Sequence, residues 1–184
     1  SVDEEWLAPH FEKMLYDNAL LVELMTDVWQ ETRLDLYETR IRETVRWMLA
    51  DLRNTAQDGS YALASAYDAD SEGVEGKFYV WTEAEIDALL GDDADLFKKF
   101  YDVSKGGNWE GNTILNRTQS GLGLADEATE EKLASLRQIL LTERAKRIRP
   151  GWDDKALTDW NAMTIAAMAE AAMTFKRADW LDYA

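Results

Sequence analysis

The sequence contains no cysteine and a single histidine in 184 residues. Without cysteine there is no disulfide framework, no thiol nucleophile and no cysteine-ligated metal within this chain. Basic residues are scarce beside acidic ones, 20 against 36, and the net charge of −16 repels phosphate backbones and anionic lipid. Neither nucleic acid nor a membrane is therefore an expected partner. Long apolar runs are also missing: the longest, Trp160 to Phe175, is interrupted by Glu170 and is too short and too polar to span a bilayer. The first five residues are acidic where a secretory signal needs a basic start and an apolar run, so a cytoplasmic location is the expectation.

An apolar fraction of 46% excludes a disordered chain, and the length is enough to bury one good core. Apolar residues recur at helical spacing from Phe11 through Met14, Leu15, Ala19, Val22 and Met25 to Trp29, which predicts a long amphipathic helix over Pro9 to Glu31. A second, Asp35 to Thr55, carries Ile41, Val45, Met48, Leu49 and Leu52 as its apolar stripe, and the two form a helical hairpin. The run Thr82-Glu83-Ala84-Glu85 is a capping box opening a short helix over Glu83 to Leu90, stopped by Gly91. Another short helix is expected over Asp93 to Tyr101, then a loop to Arg117 with a short strand at Thr113 to Asn116. A helix over Glu130 to Arg147 follows Thr129 as N-cap. The last long helix, Thr158 to Arg177, is apolar on nearly every side and so is expected to be surrounded by protein, with one turn of a further helix at Asp179 to Ala184. This pattern predicts a mainly α fold that is an excerpt of a longer helical array, with exposed apolar faces that drive self-association.

Between these helices lies the densest chemistry, Tyr61 to Trp81. Alternation at Tyr61, Leu63, Ser65 and Tyr67, and again at Lys77, Tyr79 and Trp81, predicts two strands closing as an antiparallel hairpin with Gly73 and Gly76 at its turn. Its tip gathers Asp68, Asp70, Glu72 and Glu75. Four like charges this close are settled by solvent, by a cation or by a polar ligand. A calcium loop is a rival reading, since Asp68, Asp70, Glu72 and Gly73 match positions 1, 3, 5 and 6 of an EF-hand, but the twelfth position is Tyr79 and the flanks read as strands. No metal and no cofactor is expected. Trp81, Trp109, Trp152 and Trp160 sit in or beside loops, where indole faces either close the loops or stack on sugar rings, whereas Trp29 and Trp47 sit in apolar stripes.

Four blocks, PHFEKMLYDNALL at residues 9 to 21, AYDADSEGVEGKFYVWT at 66 to 82, GNWEGNTIL at 107 to 115 and DDKALTDWNAM at 153 to 163, closely resemble the spermatogenesis-associated, thioredoxin-domain-containing proteins and their bacterial relatives. The resemblance covers essentially this whole chain and the middle of that family's length. It implies a thioredoxin-like domain elsewhere in the full-length protein, carrying the redox cysteines, and a six-hairpin α/α toroid similar to N-acylglucosamine 2-epimerases and six-hairpin glycosidases. The fold expected of this chain is accordingly a partial toroid of helical hairpins with a small β-hairpin insertion. In related toroids the substrate lies in a central funnel, and the resemblance makes His10, Tyr16, Asp17, the acidic loop, Trp109, Glu110, Asp154, Trp160 and Asn161 its candidates here. The substrate-binding candidates are then Tyr16, Asp17, Glu72, Tyr79, Trp81, Trp109, Glu110, Asp154, Trp160 and Asn161, and the candidates for acid–base chemistry are His10, Asp68, Asp70 and Glu75. Two departures stand out. Sugar 2-epimerases of this architecture use two histidines and this chain has only His10, and the family's Trp-Asn-Gly reads Trp160-Asn161-Ala162 here.

Three function classes follow: a sugar epimerase or glycosidase working by acid–base catalysis, a non-catalytic module that binds a saccharide or a partner, and a scaffold with a decayed site. For the first, two carboxylates must flank the reacting bond at about 5–9.5 Å.

Overall fold

The computed structural model describes residues 2–121 and 123–184. In chain order the elements are β1 (Lys13–Met14), α1 (Leu15–Thr32), α2 (Asp35–Asp51), β2 (Arg53–Thr55), β3 (Tyr61–Leu63), β4 (Ala66–Tyr67), β5 (Asp70–Ser71), β6 (Val74–Glu75), α3 (Glu83–Leu90), a 3-10 turn (Gly91–Asp93), α4 (Ala94–Tyr101), α5 (Glu127–Arg144), β7 (Trp152–Asp153), α6 (Thr158–Phe175) and α7 (Ala178–Tyr183). About half the chain is helical and the strands are two or three residues long, so the fold is mainly α. The contacts divide it into two units. One comprises Glu12–Asp68 with Trp152–Ala184, here the helical unit; the other comprises Ala69–Gly151 with the N-terminal stretch up to Phe11, here the loop unit.

In the helical unit α1 packs on both α2 and α6, and α7 packs on α6. The stripe read from sequence is the buried one: Leu15, Val22, Ile41, Val45, Met48 and Leu52 join Leu63, Ala167, Met168, Ala171, Ala172 and Trp180 in one core. Each large side chain buried there stabilises by about 1.5–3 kcal/mol. Ala167, Ala171 and Ala172 are small enough to let α1 and α6 approach closely. The rest of α6 departs from expectation, because Ile165 and Met173 remain exposed, as do Leu20, Leu21 and Leu24 of α1.

The first helix starts at Leu15 rather than Pro9. Lys13 and Met14 pair instead with Tyr67 and Ala66, and Met14 is extended at φ −89°, ψ 139°. The second helix stops at Asp51, since Arg53–Thr55 pairs antiparallel with Tyr61–Leu63. Ala66 and Tyr67 also pair with Asp153 and Trp152, so β1, β4 and β7 form a three-stranded sheet. The large hairpin expected over Tyr61 to Trp81 is therefore absent. Its first half is split between two sheets, and the turn is a small hairpin of its own, with Asp70 opposite Glu75 and Ser71 opposite Val74.

In the loop unit α3 packs on α4 and α5 around Trp81, Ile86, Leu90, Phe97, Tyr101, Leu133, Leu136 and Leu140. The capping box forms as read: Thr82 Oγ1 accepts from the Glu85 amide while the Glu85 carboxylate accepts from the Thr82 amide at 2.8 Å. Lys98 draws α3 and α4 together through Asp87 at 2.8 Å, with Asp95 and Glu83 beside it, and the hydrogen bond to Asp87 chiefly raises its pKa. Helix α5 begins three residues early because Asp126, not Thr129, is its cap, its carboxylate accepting from the Thr129 amide at 3.0 Å. The expected strand at Thr113 is one isolated bridge to Trp81. A smaller cluster of Ala8, Phe11, Val80 and Ile114 carries Leu7, Tyr79 and Trp109 on its edge.

Candidate ligand site in the loop unit

Two tight turns with the same Glu-Gly centre shape this site. In Ser71-Glu72-Gly73-Val74, Glu72 and Gly73 have φ of 55° and 74°; in Trp109-Glu110-Gly111-Asn112, Glu110 and Gly111 have φ of 49° and 79°. Positive φ at both central residues is the two-residue hairpin turn whose twist matches its strands. Asparagine is the usual first residue of such a turn, and a longer side chain in the left-handed region costs on the order of 1 kcal/mol. Both turns nonetheless carry glutamate there.

The two glutamates line one cavity of about 620 Å³, together with Glu75, Trp109, Lys146 and Arg147. Its walls are tied by polar side chains bonding to backbone. Ser71 Oγ donates to Ile148 O at 2.5 Å, fixing the hairpin to the segment after α5. Arg147 donates to Phe78 O (3.1 Å), Val80 O (2.7 Å) and Glu85 Oε1 (3.1 Å), and its guanidinium lies 4.0 Å over the Trp81 ring. The Trp109 turn is held by Asn108, whose side chain accepts from Ile114 N (2.8 Å) and donates to Ile114 O and Asp102 Oδ2, both at 3.1 Å. Lys77 compensates Glu72 at 2.7 Å and Lys146 pairs with Glu143 at 2.5 Å. Among the described residues Glu75 and Glu110 have no ion-pair partner within the chain. A half-exposed indole beside carboxylates offers stacking for an apolar ring face and acceptors for hydroxyls or ammonium groups.

The residues singled out from sequence fall into both units. In the loop unit, Glu72, Glu75, Trp109 and Glu110 meet on the cavity, and Asp70 is the cross-strand partner of Glu75. Tyr79 lies behind it, stacked on Phe11 at 6.1 Å, and Trp81 is a buried core residue. His10 is exposed in a non-helical stretch outside the cavity lining, ahead of the helix that was expected to include it. The remaining six lie in the helical unit. Tyr16 and Asp17 are in the first turn of α1, with the Tyr16 ring 4.8 Å from that of Trp160. Asp68 is exposed after β4, and Asp154 is exposed with its carbonyl accepting from Asn54 at 2.9 Å. Asn161 satisfies Leu63 as a neighbouring strand would, accepting from its amide at 2.9 Å and donating to its carbonyl at 3.0 Å.

Lys146, Arg147, Glu85 and Asn112 were not picked out from sequence. The available signal was the basic run Arg144, Lys146, Arg147, Arg149 in so acidic a chain, which reads equally as an ordinary helix end. Among the described residues no three histidine, aspartate or glutamate side chains gather as a metal site, and the calcium-loop segment forms the small hairpin instead. Among the described residues no helix is long and apolar enough to cross a membrane.

No family model matches the chain. It is 28% identical to human spermatogenesis-associated protein 20 in an alignment of 216 residues that covers all of this chain and 27% of that protein. The mouse protein of the same name is 29% identical over 201 residues, covering 92% of this chain and 25% of its own length. An uncharacterized protein of Caenorhabditis elegans is 28% identical, over all of this chain and 29% of its own length. The chain thus spans about a quarter of the length of these curated relatives. Along its whole length it has homologues among the proteins named spermatogenesis-associated protein 20.

Proposed function

We propose that the loop-unit cavity is the ligand site of a carbohydrate-active domain, and that its chemistry, where the protein turns a sugar over, is the proton transfer of an epimerase or glycosidase. The observation that carries this reading is that Trp109, Glu72, Glu75 and Glu110, from two separate turns, line one cavity. Trp109 supplies the stacking face, Glu72 and Glu110 accept from hydroxyls, and Glu75, with its cross-strand neighbour Asp70, is the acid–base group. The wider assignment, a section of an α/α toroid in a longer cytoplasmic protein with a thioredoxin-like domain, rests on the four motif blocks and belongs to the same proposal.

The test is titration of the protein with a panel of neutral and amino mono- and disaccharides, followed by calorimetry and by product analysis. Saturable binding that Trp109→Ala abolishes is the expected result. A sugar that is also converted should lose about 10²–10⁴-fold in rate on Glu75→Gln, because the amide keeps the shape and removes the proton. Binding without conversion leaves the site as a recognition module. A panel that nowhere binds, or that binds Trp109→Ala as well as the parent, overturns the reading.

A further inference from the structure

Phe11 lies between the two turns that bound the cavity. Its side chain is 2% exposed, and its ring leans on Trp109 with 5.3 Å between centroids and 49° between planes. On another side it abuts the hairpin backbone: a Cβ added at Gly76 would stand 2.8 Å from two of the Phe11 ring carbons. Gly76 directly follows Glu75 in the chain. One ring therefore touches both the segment that carries Glu72 and Glu75 and the turn that carries Trp109 and Glu110.

The ring is itself held from the N-terminal side. Leu7 and Ala8 pack in the same cluster, and the Asp3 carboxylate accepts from three backbone amides, Glu5 at 2.8 Å, Leu7 at 3.1 Å and Ala8 at 2.5 Å. Close-packed aromatic contacts transmit a displacement instead of absorbing it. We propose that Phe11 is a positioning residue, a spacer that sets the separation of the acidic hairpin from Trp109 and thereby the width of the cavity. This takes Trp109 as a wall of the ligand site, as above.

Fluorine NMR of protein labelled with 5-fluorotryptophan tests it without any ligand, so a failed sugar titration and a failed spacer are separate results. The chain has eight tryptophans, and Trp109→Phe identifies the resonance that matters. Phe11→Leu keeps an apolar side chain but removes the flat ring, and should move the Trp109 signal more than any of the other seven. Gly76→Ala should also move it, because the new methyl displaces the ring. Residue 76 sits at φ 71°, so an alanine there strains the hairpin by itself, and in the double variant the Gly76→Ala displacement of Trp109 should fall well below its value in the single variant, since the intermediary is gone. A Trp109 signal unmoved by Phe11→Leu, or a Gly76→Ala effect that is undiminished in the double variant, overturns the proposal. All eight signals moving together in Phe11→Leu does so too, because Phe11 would then be a keystone of the fold and not a spacer.

Discussion

The helical unit and the loop unit solve the same problem with different materials. In the helical unit apolar stripes on α1, α2 and α6 meet one another, and long regular helices satisfy their own backbone. In the loop unit, α5 apart, the elements are short, and where the backbone between them cannot satisfy itself side chains complete it: Asp3 serves three amides, Asn108 serves Ile114 on both sides, and Arg147 holds two carbonyls. The cavity belongs to the second kind of construction. A wall made of irregular backbone pinned at discrete points can present turn residues such as Glu72 and Glu110, which a helix face cannot.

The difference lies in the loops and not in the cores, and the largest effect should show it. Phe97 is fully buried in the loop unit, as Ile41 is in the helical unit. Phe97→Ala should cost about 3–5 kcal/mol and Ile41→Ala about 2–5 kcal/mol by urea unfolding. A loss below about 1 kcal/mol for Phe97→Ala would mean that the polar ties alone carry the loop unit. Next come the ties themselves. Asn108→Ala strands the Ile114 amide, whereas the Ile114 carbonyl keeps the Asn116 side chain as a donor at 3.1 Å, and should cost about 1–3 kcal/mol; Asn161→Ala, a counterpart in the helical unit, should cost about the same. Hydrogen exchange sharpens this pair, with faster exchange expected first at the Ile114 and Leu63 amides. The smallest effect has the opposite sign. Glu72→Asn and Glu110→Asn place the preferred residue in each turn and should each stabilise by roughly 0.5–1 kcal/mol. Neutral or destabilising results in both would remove the left-handed turns as a source of strain.

What the sequence revealed follows the same division. Helix α3 was legible to the residue because its start, its stripe and its stop are all local: Thr82, Ile86 with Leu90, and Gly91. The β structure was not legible. A strand of two residues has no period to detect, and the partners of Ala66 and Tyr67 lie at Met14 and Asp153, far away in the chain. The same pairing shortened the first helix and left His10 outside it, since Met14 fits a helical stripe as well as it fits a strand. In the candidate site, Glu72, Glu75 and Trp109 stood out by their chemistry, and Glu110 only by the family resemblance. Arg147 was missed because its work is to bond carbonyls of Phe78 and Val80, and nothing in a sequence marks which carbonyls lack an amide.

The amide of Asn161 has a further consequence beyond the two hydrogen bonds it makes. A two-stranded ribbon such as β2–β3 ends in an unpaired edge, and an open edge is a template onto which another chain can add a strand. At Leu63 that template is already occupied by a side chain from a helix, which offers one donor and one acceptor and then ends. A strand can be extended indefinitely; an asparagine cannot. The residue thus terminates the ribbon, and with it a route by which copies of this chain would grow into an aggregate.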